Sequence, residues 1–173
     1  MKFLIRESQL ENVAEKFKPL LFKYWNKNGP SLTFKMLKMF GLDMKTSYEL
    51  NSYFKDYLIE WFGGFDKFKE KVESFKGQIF RATDGGYNFR FEIFNVHLID
   101  EDSVSFDIQI LPGGTVTLIF YENPPTQRLE DAYASEDIGW EIRSEVGEII
   151  FAILNPKFGS LGLEIQDIDV DFK

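Results

Sequence analysis

The chain has 173 residues, of which 44% are hydrophobic and 28% charged, and its 20 Lys and Arg against 28 Asp and Glu leave a net charge of −8. That balance excludes a disordered chain and suits a domain able to bury roughly 70% of its unfolded surface. With no Cys, disulfides, thiolate metal sites, iron–sulfur clusters and a cysteine nucleophile are excluded.

The charge is unevenly spread. Residues 1–76 carry 14 Lys and Arg against 10 Asp and Glu, net +4, whereas residues 77–173 carry 6 against 18, net −12. The chain therefore reads as a lysine- and aromatic-rich helical half, 1–76, and an acidic strand-rich half, 77–173, in one compact unit. Nineteen Phe add many rings that lack a polar handle and must find cover.

In chain order, Lys2–Ile5 reads as a short strand. Phe3-Leu4-Ile5 is too short for a signal peptide and no later run is long enough to span a membrane, so a soluble, cytoplasmic protein is expected. Ser8 and Glu11 form a capping box before an amphipathic helix through Leu10, Phe17, Leu21 and Trp25. Pro19 predicts a kink or break in it. A short helix follows, through Leu32, Met36, Leu37 and Phe40, stopped at Gly41. Thr46 and Glu49 make a second capping box before Leu50, Phe54, Tyr57, Leu58 and Trp61, and Gly63-Gly64 ends that helix. Phe65, Phe68, Val72 and Phe75 continue a helical stripe over 65–76.

From Gln78 the period drops to two, and strands are expected at 78–84, 87–98, 103–111 and 115–122, joined by DGG, DED and PGG turns. A β-bulge near Ile93-Phe94 explains why the apolar face of the second strand switches from Phe91 and Ile93 to Phe94, Val96 and Leu98. The Pro112-Gly113-Gly114 turn predicts a hairpin with Ile110 opposite Val116. After a short helical turn through Leu129 and Tyr133, a helix over 136–154 and a final strand from Leu163 to Phe172 complete an α+β fold. In it, N-terminal helices pack on an antiparallel meander of about four strands, followed by one helix and the closing strand.

Asp167, Asp169 and Asp171 recur at every second residue, so all three project from one face of the last strand, and Glu141 and Glu145 share a face of the preceding helix. Together they make a candidate site for Mg, Mn or Ca, since hard cations take oxygen ligands. The strand alternation and the absence of a calcium-loop glycine favour solvated acidic faces instead. His97, the single imidazole, has no nucleophile motif around it and reads as structural or exposed. The glycine pairs have no phosphate-loop spacing and read as turns, and no cofactor signature is present. With only +4 in the basic half, direct nucleic-acid binding is disfavoured, because phosphate neutralisation dominates such affinity.

The opening M-K-F-L-I-R-E-S-Q-L resembles the start of many uncharacterised proteins encoded by tailed bacteriophages. The resemblance covers about ten residues. It implies a phage origin, hence the host cytoplasm or the virion, and no activity.

These features lead to the expectation of a non-enzymatic protein–protein interaction or assembly protein, either a virion component or a host-directed factor. The alternatives are a divalent-metal enzyme using the carboxylates above, and an acidic mimic of nucleic acid. A five-strand sheet offers one face to two or three helices, so one aromatic stripe is left over. Leu32, Met36, Met39, Phe40, Phe65 and Phe68 are the residues expected to meet a partner or a second copy.

Overall fold

The computed structural model describes residues 7–31, 41, 45 and 49–173. It divides into two compact units, Met1–Lys69 with Lys157–Leu163, and Glu70–Pro156 with Glu164–Lys173. The first unit holds 13 Lys and Arg against 8 Asp and Glu, net +5; the second holds 7 against 20, net −13.

In the first unit, α1 (Glu7–Asn28) buries Ala14, Leu21 and Trp25 along one stripe. It runs on through Pro19, so the expected break does not form. A proline inside a helix costs about 3 kcal/mol. Contacts on both sides of it with α2 (Asn51–Phe62) offset that cost. Tyr57 donates to Glu15 at 2.7 Å, Lys18 pairs with Glu60 at 2.6 Å, and the Trp25 and Trp61 rings meet edge to face at 6.2 Å. α2 ends where the glycine pair predicts. Gly63 takes φ 94°, its N–H bonds the Glu60 carbonyl and that of Gly64 bonds Ile59, which satisfies two orphan carbonyls as in a Schellman end. The helix starts after Leu50 without a side-chain cap, and Thr46 of the expected capping box lies outside the described residues. Helix α3 (Phe65–Glu73) follows, with Phe68 at 0% exposure.

The second unit is built on β1 (Ile79–Asp84), β2 (Tyr87–Leu98), β3 (Ser103–Ile110), β4 (Thr115–Thr117), β5 (Thr126–Arg128) and β6 (Glu164–Phe172), with α4 (Leu129–Ala134) and α5 (Gly139–Gly159) between the last two strands. The α+β class and the bounds of β2 are as expected, and the register of β2 on β3 shifts between Ile93 and Asn95, which is the predicted bulge. Two features of the sheet differ. First, β6 runs parallel to β3, so the sheet is mixed rather than antiparallel, in the order β5-β4-β2-β3-β6 with β1 also on β2.

Second, the Ile110/Val116 hairpin does not form. β4 pairs with β2, Val116 opposite Tyr87, on the side of β2 that β3 occupies further along. Pro112-Gly113-Gly114 is therefore an excursion within one strand line and not a reversal. A hairpin would have laid β4 on the outer edge of β3, and β6 holds that edge. Gly114 is needed for close approach: a Cβ there would stand 3.1 Å from the Phe89 Cβ.

One sheet face buries Tyr87, Phe89, Phe91, Ile93, Phe106, Ile108 and Ile110. Helix α5 covers it, burying Ile142, Val146, Ile150 and Leu154 while Glu145 hydrogen-bonds Tyr87. Each such side chain contributes about 1.5–3 kcal/mol on burial. The opposite face carries Arg81, Arg90, His97, Asp107, Gln109 and the β6 aspartates.

Candidate functional site

The expected metal ligands are split by the sheet. Ile168, Val170 and Phe172 stand opposite Phe106, Ile108 and Ile110 on the covered face, so Asp167, Asp169 and Asp171 project from the other, exposed. Two residues of strand place neighbouring carboxylates about 6.6 Å apart at the backbone. Glu141 and Glu145 lie on α5, over the covered face, and both raise the pKa of the Tyr87 hydroxyl there, after the larger effect of burial. Glu141 and Glu145 thus do not converge with the three aspartates of β6. Among the described residues no three His, Asp or Glu side chains are grouped closely enough to hold a metal ion. Asp167 and Glu148 of α5 both line an open groove of about 430 Å³, with Phe151, Ile165 and Ile168.

On the open face the bulge at Ile93-Phe94 turns Asn95 and His97 to the same side as Asp107. His97 Nε2 lies 3.0 Å from Asp107 Oδ2, and Asn95 donates to the same oxygen at 2.8 Å. These two hydrogen bonds, that of His97 first, hold the Asp107 carboxyl below its ordinary value. The sequence reading missed this pair; the signal was the predicted bulge combined with the β2–β3 register. The His97 and Asp107 side chains are 54% and 40% exposed, and His97 lines an open groove of about 330 Å³ with Asn95, Val96, Glu73 and Lys76.

A larger hollow than the one beside His97 lies where β4 stops. Thr117 bonds Gly86, the residue before β2 begins, so beyond it there is no strand left to pair with. The expected strand over 115–122 is cut to Thr115–Thr117, and the apolar run that follows is carried off the end of the sheet. Leu118 turns inward at 4% exposure, while Ile119, Phe120 and Tyr121 stand 68%, 55% and 49% exposed. The Tyr121 N–H bonds the Leu118 carbonyl and Leu118 N–H bonds Pro125, which closes a compact loop, with the Phe120 and Tyr121 rings 4.7 Å apart. Between this loop and the segment from α4 to the start of α5 is a cavity of about 710 Å³. Its walls include Leu118, Pro125 and Ile138 as well as Glu122, Asp131 and Asp137. Trp140, two residues after Ile138, is 68% exposed.

Of the residues expected at an interface, Leu32, Met36, Met39 and Phe40 lie outside the described residues. Phe65 is 37% exposed. Phe68 belongs to the core of the first unit, packed against Phe62 with the Lys55 ammonium 5.0 Å over its ring. The exposed run at 119–121 was not foreseen, because its alternation with Thr115 and Thr117 reads as more strand. Among the described residues no helix is long and apolar enough to cross a membrane. No family model, curated protein or solved structure matches the chain.

Proposed function

We propose that the chain is a non-enzymatic protein-interaction protein, of tailed-phage origin on the likeness of its first residues, acting as a virion component or a host-directed factor. The observation that carries this reading is the run Ile119-Phe120-Tyr121, held in solvent beside a cavity instead of folding back onto the sheet. Contiguous apolar surface of this kind disfavours a solitary monomer and marks interfaces. The test is a parallel capture from host lysate and from disrupted virions with the wild-type chain and a Phe120→Asp variant. A partner held by the wild type and lost by the variant supports the reading. Identical capture by both, with a wild type that stays monomeric in light scattering, removes it.

A second reading, an acidic mimic of nucleic acid, is favoured by the −13 of the second unit and the exposed row Asp167, Asp169, Asp171. It requires a basic, nucleic-acid-binding partner whose affinity falls steeply with salt, since exposed charges are screened beyond about 8–10 Å at physiological ionic strength. Salt-independent binding rules it out.

A further inference from the structure

We propose that the cavity between the 118–125 loop and the segment from α4 to α5 is the docking site for a partner protein's segment that presents an apolar side chain flanked by Lys or Arg. The inference rests on the protein-interaction reading above and adds to it a place and a chemistry.

Three observations, all within the second unit, define the occupant. The floor is apolar, from Leu118, Pro125 and Ile138, which asks for an apolar side chain. The rim is of one sign: Glu122, Asp131 and Asp137 converge on it, and no Lys or Arg is among its lining residues. A ligand that fills the floor therefore gains most by carrying cations at its sides. The third is the exposed ridge Ile119-Phe120-Tyr121, of which Tyr121 lines the cavity and the Phe120 ring lies 4.7 Å from that of Tyr121. A lone small cation would leave that ridge uncovered, whereas a peptide running across it would bury ridge and floor together. The same carboxylates repel phosphate, which argues against nucleic acid or an anionic lipid surface here.

The test is a selection from a displayed library of randomised peptides against the immobilised full chain, followed by two measurements on the enriched peptides. Backbone amide shifts of the wild-type protein locate the peptide without recourse to any variant. Fluorescence anisotropy then compares the wild type with the double variant Asp131→Asn, Asp137→Asn, whose fold is checked by its melting curve. The expected outcome is enrichment of apolar residues flanked by Lys or Arg, shifts confined to residues 118–140, and affinity reduced about tenfold or more in the double variant and by raised salt. Peptides without basic residues, or affinity unchanged in a folded double variant, overturn the proposal. Basic peptides whose shifts fall on Asp167, Asp169 and Asp171 overturn this site and leave the interaction reading standing; no enrichment, together with no capture in the lysate experiment, ends both. Self-association that perturbs the same amides assigns the cavity to a second copy and overturns the foreign partner.

Discussion

Lys55 and Gly162, 107 residues apart in the chain, are joined by a 2.8 Å hydrogen bond from the lysine Nζ to the glycine carbonyl oxygen. The same nitrogen donates to the Leu161 carbonyl at 3.2 Å and sits over the Phe68 ring, and the residue is only 5% exposed. An ammonium group on α2 thus takes up two carbonyls at the turn that follows α5, inside the first unit.

Lys55→Met keeps most of the apolar stem and removes the donors. Two carbonyls then lose a charged partner, and the expected loss is about 1.5–3 kcal/mol. Urea unfolding followed by tryptophan fluorescence measures it, since Trp25 and Trp61 report on this unit. An unchanged midpoint would show that water replaces the ammonium at no net cost.

Two glycines of α5 respond oppositely to alanine. At Gly147 a Cβ meets nothing within 4 Å, so Gly147→Ala stabilises by about 0.5–1 kcal/mol through lower chain entropy and better helix propensity. At Gly139 the Cβ would lie 2.7 Å from the Tyr133 carbonyl oxygen, a backbone atom, and Gly139→Ala costs about 1–3 kcal/mol. Thermal melts of the two variants check the pair of signs.

The phenols of Tyr57 and Tyr87 ionise well above their ordinary value of 10, in both cases first through burial and then through a hydrogen bond, to Glu15 and Glu145 respectively. Unfolded tyrosines release their protons near pH 10. Stability is therefore whole below pH 10 and falls as the pH rises above it, because only the unfolded chain loses these protons. In an alkaline absorbance titration, part of the phenolate signal of the 7 tyrosines appears only with unfolding. A full signal in the native protein near pH 10 would contradict this.

Asp107 has a lowered pKa, first from the His97 hydrogen bond and next from Asn95. A depressed carboxylate pKa contributes stability above its unfolded value near 3.9 and loses it as the pH falls through the folded value. Because the side chain is 40% exposed, solvent screens the pair and the effect stays under about 1 kcal/mol. Asp107→Asn should lower the melting temperature slightly at pH 6 and not at pH 2, by calorimetry across that range.

Millimolar Mg, Mn or Ca is expected to leave the melting temperature unmoved, since Glu141 and Glu145 lie on the other face of the sheet from the β6 aspartates and, among the described residues, no three acidic or histidine side chains are grouped to hold an ion. A site occupied at a hundred times its dissociation constant would add about 2.7 kcal/mol, far above detection. A shift of that size would restore the metal reading.

Where the chain's local geometry decides, the amino-acid sequence was sufficient. The alternation of Val104, Phe106, Ile108 and Ile110 against Ser105, Asp107 and Gln109 sets which face of β3 is buried, whatever the strand pairs with, because side chains point alternately. The face switch around Ile93-Phe94 implied the bulge, Gly63-Gly64 implied the end of α2, and the spacing of Asp167, Asp169 and Asp171 placed them on one exposed face. The choice of partners belonged to the tertiary structure. Whether β4 folds back on β3 or continues along β2 depends on which edge β6 takes, and β6 begins 47 residues after β4 ends, at Glu164 against Thr117. That competition also ends β4 at Thr117 and leaves Ile119, Phe120 and Tyr121 in solvent, though their sequence reads as strand. Strand pairing likewise brings His97 to Asp107, and contacts with α2 carry α1 through Pro19 against a local penalty. Periodicity is a property of one segment's backbone; an edge is allotted among all segments at once, so only the assembled sheet settles which apolar residues are left in solvent.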